Sequence, residues 1–274
     1  MDILKEIIEH KKVEVAERKS LYPVKLLEQS IYFGSRTVSL KKYIQRVDKS
    51  GIIAEFKRKS PSKGIINAHA SVERTSIGYM QAGASALSVL TDLKYFDGKN
   101  EDLKTARRFN FCPILRKDFT VDEYQIVEAK SIGADAILLI AAVLDSKEIE
   151  RLAQFAKSLG LETLLEVHDS DELARSINPH IDCVGVNNRD LKTFEVSIDT
   201  SISLADKIPD EFVKISESGI NDPRTIIELK QAGYQGFLVG ERFMQSARPQ
   251  KSCAAFIEQL KDLSDEGQGL RITR

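Results

Sequence analysis

From about residue 50 onward the chain repeats one pattern: a short run rich in Ile, Val and Leu, then a longer stretch in which apolar residues recur at helical spacing. Short apolar runs with β-branched side chains predict strands buried on both faces, and the helical spacing predicts helices with one apolar stripe. The strands are centred near Glu55, Ser88, Leu115, Leu138, Leu165, Gly185, Lys214 and Leu238. Eight parallel strands alternating with helices are the number that closes a (β/α)8 barrel of the α/β class. Helix starts are marked as well. Thr120 and Glu123 read as a T-x-x-E capping box, Asp145 and Glu148 stand at the same offset, and Asp222 precedes Pro223 as a cap before a proline. Gly83, Gly133, Gly160 and Gly233 fall where a left-handed residue would release a helix into the next strand. An open doubly wound sheet would show G-x-G-x-x-G after its first strand, and none follows here.

The beginning of the chain breaks this pattern. Ile3, Leu4, Ile7, Ile8 and Val15 suggest an amphipathic helix, and further helical stretches follow from Val24 to Gln29 and from Leu40 to Arg46. Residues 1–48 are therefore read as a helical extension packed on the barrel, 49–262 as the barrel, and 263–274 as a polar C-terminal tail with frayed ends. With 274 residues, 42% of them hydrophobic, the chain can bury one large core but has no room for a second barrel.

Composition narrows the function. Forty basic and 41 acidic residues give a net charge of −1, so no global field favours nucleic acid or an anionic membrane. Charges interrupt every apolar pair near the N-terminus, which excludes a signal-peptide core, and no apolar run is long enough to span a bilayer. Cys112, Cys183 and Cys253 are odd in number and lack a C-x-x-C pattern, which speaks against disulfides or a zinc site and for a reducing cytoplasm. His10, His69, His168 and His180 show no metal-ligand spacing, so no metal is expected. Nothing marks an obligate protein partner.

In such a barrel the catalytic groups stand at the C-terminal ends of the strands. Ile53, Glu55 and Lys57 share one parity, so if Ile53 points into the barrel the two charged residues do too. The same argument pairs Leu115 with Lys117 and Leu164 with Glu166. The sixth strand ends in Asn187, Asn188 and Arg189, and the seventh in Glu217, Ser218 and Gly219. Singly, each is better explained as a solvated charge or a structural ion pair near a strand end. Together, two lysines and two or three carboxylates aimed at one mouth form an acid/base set whose members perturb one another's pKa. The run KRKSPSKG has no aromatic platforms beside it, so local anion binding accounts for it better than nucleic acid does. Gly219 and Gly240, after the last two strands, would let backbone N–H groups close on a phosphate.

Six segments in order, AEFKRKSPSKG, SVLTD with YFDG, LRKDF, LLEVH, VGVNNRDL and SESGI, resemble the signature stretches of the indole-3-glycerol phosphate synthase family. The N-terminal extension resembles that family's too. The resemblance implies a sugar-phosphate substrate, 1-(2-carboxyphenylamino)-1-deoxyribulose 5-phosphate, closed to indole-3-glycerol phosphate with loss of carbon dioxide and water, and no cofactor. It implies Lys117 as the general acid, Lys57 beside the substrate carboxylate, and Glu166 in proton removal or dehydration. Glu55, Asn187 and Ser218 would hold and orient the reacting groups. Ser60, Arg189, Gly219 and Gly240 would take the anionic ends, and Phe96 would cover the aromatic ring. Lys59, Glu217, Leu238 and Glu241 complete the implied binding set, with Glu241 contributing only its backbone N–H, because a carboxylate cannot donate to phosphate. Lys99 stands after YFDG where that family would have a small hydroxyl residue.

Two other readings differ from this one in their residues. A phosphoribosylanthranilate isomerase-like barrel would share the phosphate cradle and lack the paired lysines. A non-catalytic phosphate-ligand barrel would be expected to have lost some of Glu55, Lys57, Lys117 and Glu166, and all four are present.

Overall fold

The eight apolar runs are eight strands: β1 (Ile52–Phe56), β2 (Ala86–Leu90), β3 (Ile114–Lys117), β4 (Ala136–Ile140), β5 (Glu162–Val167), β6 (Cys183–Asn187), β7 (Val213–Glu217) and β8 (Gly236–Val239). In the computed structural model, which describes residues 3–190 and 193–272, each strand pairs in parallel with the next. β1 and β8 close the ring through Ile52↔Phe237 to Ala54↔Val239. The expected (β/α)8 barrel is thus formed. Leu191, at the end of the segment VGVNNRDL, lies outside the described residues.

Helices α1 (Ile3–Leu21), α2 (Val24–Leu27) and α3 (Leu40–Ile44) precede the barrel. Outside the strands run α4 (Val72–Gln81), α5 (Leu93–Phe96), α6 (Asn100–Phe109), α7 (Glu123–Ser131), α8 (Ser146–Ser158) and α9 (Ser170–Ser176). They are followed by α10 (Asp199–Leu204), α11 (Pro223–Gln231), α12 (Glu241–Met244) and α13 (Pro249–Ile272). The last of these carries helix into the segment read as a polar tail.

Local signals explain most of these boundaries. Asp145 and Glu148 form a reciprocal capping box, and Asp222 caps a helix that begins at Pro223. Gly83, Gly133, Gly160 and Gly233 all have positive φ. The box expected at Thr120 forms two residues later instead. Asp122 accepts from the Tyr124 N–H, and the Gln125 side chain returns to the N–H groups of Val121 and Asp122. Thr120 itself is buried, so the cap falls to the half-buried carboxylate of Asp122 beyond the strand.

The core has two parts. One fills the space between strands and outer helices. The other fills the barrel interior and includes Ile53, Leu115, Leu138, Leu164, Ile215 and Leu238, with Leu40 and Ile44 of α3 among the residues at the strands' N-terminal ends. Since Ile53, Leu115 and Leu164 point inward, so do Glu55, Lys117 and Glu166 two residues further on. Register then levels them: Leu90 lies opposite Lys117, Ile140 opposite Glu166 and Asn187 opposite Glu217.

The N-terminal extension is fastened by charge as well as by the buried Ile7 and Val15. Lys11, only 1% exposed, brings its Nζ to 2.8 Å from Asp92 and 3.0 Å from both Asp118 and Glu14. Asp92 also caps α5, and Asp118 also accepts from Thr91 at 2.5 Å. Arg116 lies 3.2 Å from Asp118 and 2.6 Å from Glu128, whose other oxygen is 2.5 Å from Arg18 of α1. Cations and carboxylates thus alternate from α1 through β3 to α7 and back.

Removing one partner from such a cluster strands a charge in a dry place, so Lys11→Met is expected to destabilise the fold by about 3–5 kcal/mol in urea unfolding at neutral pH. Burial pushes the Asp118 carboxyl up, but Lys11 and Arg116 outweigh it and hold it well below the usual range. A depressed carboxyl stabilises the fold above its unfolded value and loses that contribution as pH falls through the folded one. The deficit of Lys11→Met should therefore narrow below about pH 4, and a variant as stable as the parent at pH 7 would show the cluster to be dispensable.

Candidate active site

At the C-terminal ends of the strands opens a cavity of about 420 Å³, within the range of small-molecule sites. Glu55 reaches it from β1 and Lys57 from just beyond that strand, Lys117 from β3, Glu166 from β5, Asn187 from β6, and Glu217 and Ser218 from the end of β7. The expected acid/base set is therefore brought together.

Its centre is the Lys117 ammonium, 2.7 Å from Glu166 Oε2 and 2.8 Å from Glu217 Oε2. Asn187 Nδ2 donates to the other Glu166 oxygen at 3.0 Å. A second pair stands beside it: Lys57 Nζ lies 2.8 Å from Glu55 Oε1, while Ser88 donates to Glu55 Oε2 at 3.1 Å. Burial alone would lower the Lys117 pKa, yet the charges of Glu166, Glu217 and Glu55 outweigh it and raise it far above the ordinary value. Burial would lift Glu166 as well, but Lys117, then His168, together with the Lys117 and Asn187 hydrogen bonds, bring it down to about 2. Glu217 goes the other way. Burial drives it up to about 7, Lys117 draws it down, and Glu166 and Glu55 push it up again. Geometry supports that asymmetry, because both Glu166 oxygens have donors and Glu217 Oε1 is buried without one.

The end expected to take an anion lies across the cavity. Ser218 and Gly219 both take positive φ, at 67° and 77°, a turn that directs the chain around the rim and that Asn188 holds by donating to Ser218 O at 3.1 Å. A non-glycine residue there stores about 1–3 kcal/mol of strain, as functional turns often do. Gly219 and Gly240 are required by space, since a Cβ would come to 2.6 Å from Val196 Cγ1 and 2.7 Å from Glu55 Oε1 respectively. Ser60, Arg189, Leu238 and Glu241 also line the cavity. The Glu241 carboxylate sits 3.7 Å from Arg189 and 3.8 Å from Lys63.

Phe96 lies on the apolar side with its ring 6.0 Å from that of Phe119. Lys59, expected in the binding set, does not line the cavity. It falls in a short ribbon in which Lys59–Ser60 pairs with Gly64–Ile65, and its ammonium turns to the carbonyl of Lys94 at 3.2 Å, outside the cavity lining. Several lining residues were not anticipated: Ile3, Leu4 and Ile7 of α1, Phe119, Lys63 and Arg242. Lys63 belongs to the basic run singled out for anions, and Phe119 follows Lys117 in LRKDF, so both had a local signal. The α1 residues had none, because their reach depends on how a distant helix docks.

The profile of the family described as indole-3-glycerol phosphate synthase matches residues 4–257. The chain is 46% identical over 260 residues to the indole-3-glycerol phosphate synthase of Bacteroides thetaiotaomicron, covering 95% of this chain and 99% of that one. It is 41% identical over 245 residues to the enzyme of the same name from Caldanaerobacter subterraneus subsp. tengcongensis, covering 89% and 93%. Among solved structures it resembles a mutant tryptophan synthase alpha-subunit from Pyrococcus furiosus, with a TM-score of 0.58 and 15% identity over 79% of this chain and all of that one. A structure described as native KDPGal gives a TM-score of 0.56 at 12% identity, over 81% and 98%. At such identities the structural likenesses speak for the barrel alone.

The lifted Glu217 has a consequence for stability. A carboxyl whose folded pKa lies above its unfolded one favours the folded state at low pH, and that contribution is lost as pH rises from the ordinary value towards about 7. Glu217→Gln should therefore be less stable relative to the parent at pH 4.5 than at pH 8. Denaturant unfolding at both values measures the difference, and a pH-independent gap would mean that Glu217 is ionised throughout.

Proposed function

The chain belongs to the indole-3-glycerol phosphate synthase family, and on that premise we propose that the cavity closes the indole ring of 1-(2-carboxyphenylamino)-1-deoxyribulose 5-phosphate by the acid/base chemistry of its own side chains. The observation that carries this reading is the Lys117 ammonium held between Glu166 and Glu217 at the mouth of the barrel. Ring closure joins the carboxyl-bearing ring carbon to the ketone carbon, and the carbonyl electron pair moves to oxygen. Lys117 gives its proton to that oxygen. The carboxylate beside Lys57 then leaves as carbon dioxide, which restores the aromatic ring. The new hydroxyl departs as water with a proton from the Lys57 ammonium, and Glu166 takes a proton from the nitrogen-bound methylene as the indole double bond forms.

The other groups position the substrate. Arg189, Lys63 and the backbone N–H groups at Gly219 and Gly240 take the phosphate, with Ser60 beside them. Phe96, Phe119 and Leu238 face the aromatic ring. Glu55 and Ser218 orient the reacting centre together with Asn187. Among the described residues no helix is long and apolar enough to cross a membrane, and Cys112, Cys183 and Cys253 are buried free thiols. Free thiols suit a reducing compartment, which supports a cytoplasmic location.

The direct test is conversion of the anilino sugar phosphate by purified protein in buffer with excess chelator. Product is expected to form at an undiminished rate, read by indole fluorescence, for which a chain without tryptophan gives little background. A reaction that stops with chelator and returns with a divalent ion would overturn the proposed chemistry.

The Lys117 variants test the mechanism more closely. Lys117→Ala should lower the turnover number by about 10² to 10⁴ with a much smaller change in substrate affinity, a loss of roughly 3–5 kcal/mol in barrier stabilisation. Lys117→Arg should not restore the rate, because a guanidinium keeps its proton near neutral pH. Single-turnover kinetics and melting temperature on both variants separate this from a structural ion pair, which would reduce stability and spare turnover.

A further inference from the structure

His168, directly after β5, stands on the far side of Glu166 from Lys117 and has no part in the chemistry above. Its surroundings fix its orientation. Glu172 Oε2 accepts from the His168 backbone N–H at 2.8 Å and lies 3.1 Å from ring Nδ1. A carboxylate oxygen can only accept, so Nδ1 carries a proton. The opposite nitrogen, Nε2, is buried, has no hydrogen-bond partner, and lies 3.6 Å from Glu166 Oε1. In the neutral ring that nitrogen would aim a lone pair at a carboxylate oxygen. In the imidazolium it aims an N–H there, so the geometry favours the charged ring.

The ionisable groups that act most strongly on the ring are acidic, Glu172 from α9, Glu166 from its own strand and, at longer range, Glu217 from β7, with the Lys117 ammonium on the other oxygen of Glu166. Burial would lower the ring's pKa, but the Glu172 hydrogen bond and the charges of Glu166, Glu172 and Glu217 outweigh it and raise it. The gap of 3.6 Å is too long for a hydrogen bond and short enough to close with a small rotation of Glu166.

We infer that His168, clamped by Glu172, is a positioning residue of the reaction: as an imidazolium it takes over Glu166 Oε1 and keeps that carboxylate aimed and ionised when Lys117 turns from it to the substrate. Glu166 then works between two cations, Lys117 before proton transfer and His168 after it. This rests on the roles proposed for Lys117 and Glu166.

The experiment has two arms. The first titrates the His168 ring by NMR in the full-length protein without substrate, assigned by its loss in His168→Gln. The ring should titrate above its ordinary value, and in Glu166→Gln that titration should fall. The second follows turnover against pH. In the parent it should decline on the basic side as the ring loses its proton. His168→Gln should lower turnover about ten- to a hundred-fold near neutral pH, leave KM within a few-fold, and abolish that decline. Glu172→Gln, which releases the ring without touching it, should shift the decline to lower pH and serves where His168→Gln does not fold. A His168 titration unmoved by Glu166→Gln, or a His168→Gln enzyme with the parent's turnover and pH profile, would overturn the inference. The ring titration needs no activity, so a parent enzyme that makes no product would count against the synthase reading and leave the His168–Glu166 pairing to be decided by the first arm.

Discussion

The site depends on charge balance in a place that water hardly reaches. Three carboxylates, Glu55, Glu166 and Glu217, share the rim with two ammonium groups, Lys57 and Lys117, and the three acids are nearly fully buried. Isolated charges at such depth would be prohibitively unstable, and each becomes tolerable only through its partners. Two ammoniums neutralise two carboxylates, which leaves one acid in excess. Glu217 bears that excess, with one oxygen on Lys117, the other without a donor, and a pKa lifted to about 7. A strongly held ammonium next to a carboxyl that titrates near neutrality is the separation of acid strengths that proton-transfer sites exploit.

This balance would be useless if the groups wandered, and the barrel prevents that. Lys117 ends a strand whose next residue, Asp118, is bound by Lys11 of α1, while Arg116 just before it is bound to Glu128. The side chains on either side of Lys117 are thus locked outside the barrel while Lys117 points in. Asp92, another of the carboxylates on Lys11, caps the short helix that carries Phe96. One buried lysine of the N-terminal extension therefore ties together the strand that presents the ammonium and the loop that presents an aromatic ring. The same helix sends Ile3, Leu4 and Ile7 into the cavity lining. The extension reads from this geometry as part of the site's wall.

What could be read from the sequence follows from which interactions are local. Strand parity is local, so the inward direction of Glu55, Lys117 and Glu166 was legible from Ile53, Leu115 and Leu164 alone. Helix caps are nearly so. Asp145 and Asp222 fell where expected, but the Thr120 box lost to Asp122 and Gln125, because burial of Thr120 removes it from competition and a periodicity argument cannot see burial. Lys59, which only the family resemblance had added to the binding set, lies past the end of β1, where the chain turns into a short ribbon and strand parity no longer says where a side chain goes. The Lys11 cluster and the reach of α1 into the cavity were beyond any local signal. They join residues about a hundred positions apart and exist only because the closed sheet carries β3 under the docked helix.

The two ends of the cavity are built with ion pairs of different tightness, and this difference suits their tasks. At the reacting end the pairs are at 2.7–2.8 Å and nearly dry, so separating them without replacement would be very unfavourable. At the anion-binding end Glu241 stands 3.7 and 3.8 Å from Arg189 and Lys63, with those cations 22% and 53% exposed. Attraction at that distance and exposure is worth about 1 kcal/mol or less. A dianionic phosphate can therefore draw Arg189 and Lys63 from Glu241 at small cost, and the stiff Ser218–Gly219 turn meets it already in place. On the reaction proposed for this cavity, the substrate would be gripped by exchange of weak pairs remote from the chemistry, and the strong pairs around Lys117 would be left intact until the ketone oxygen begins to take on charge and competes for its proton.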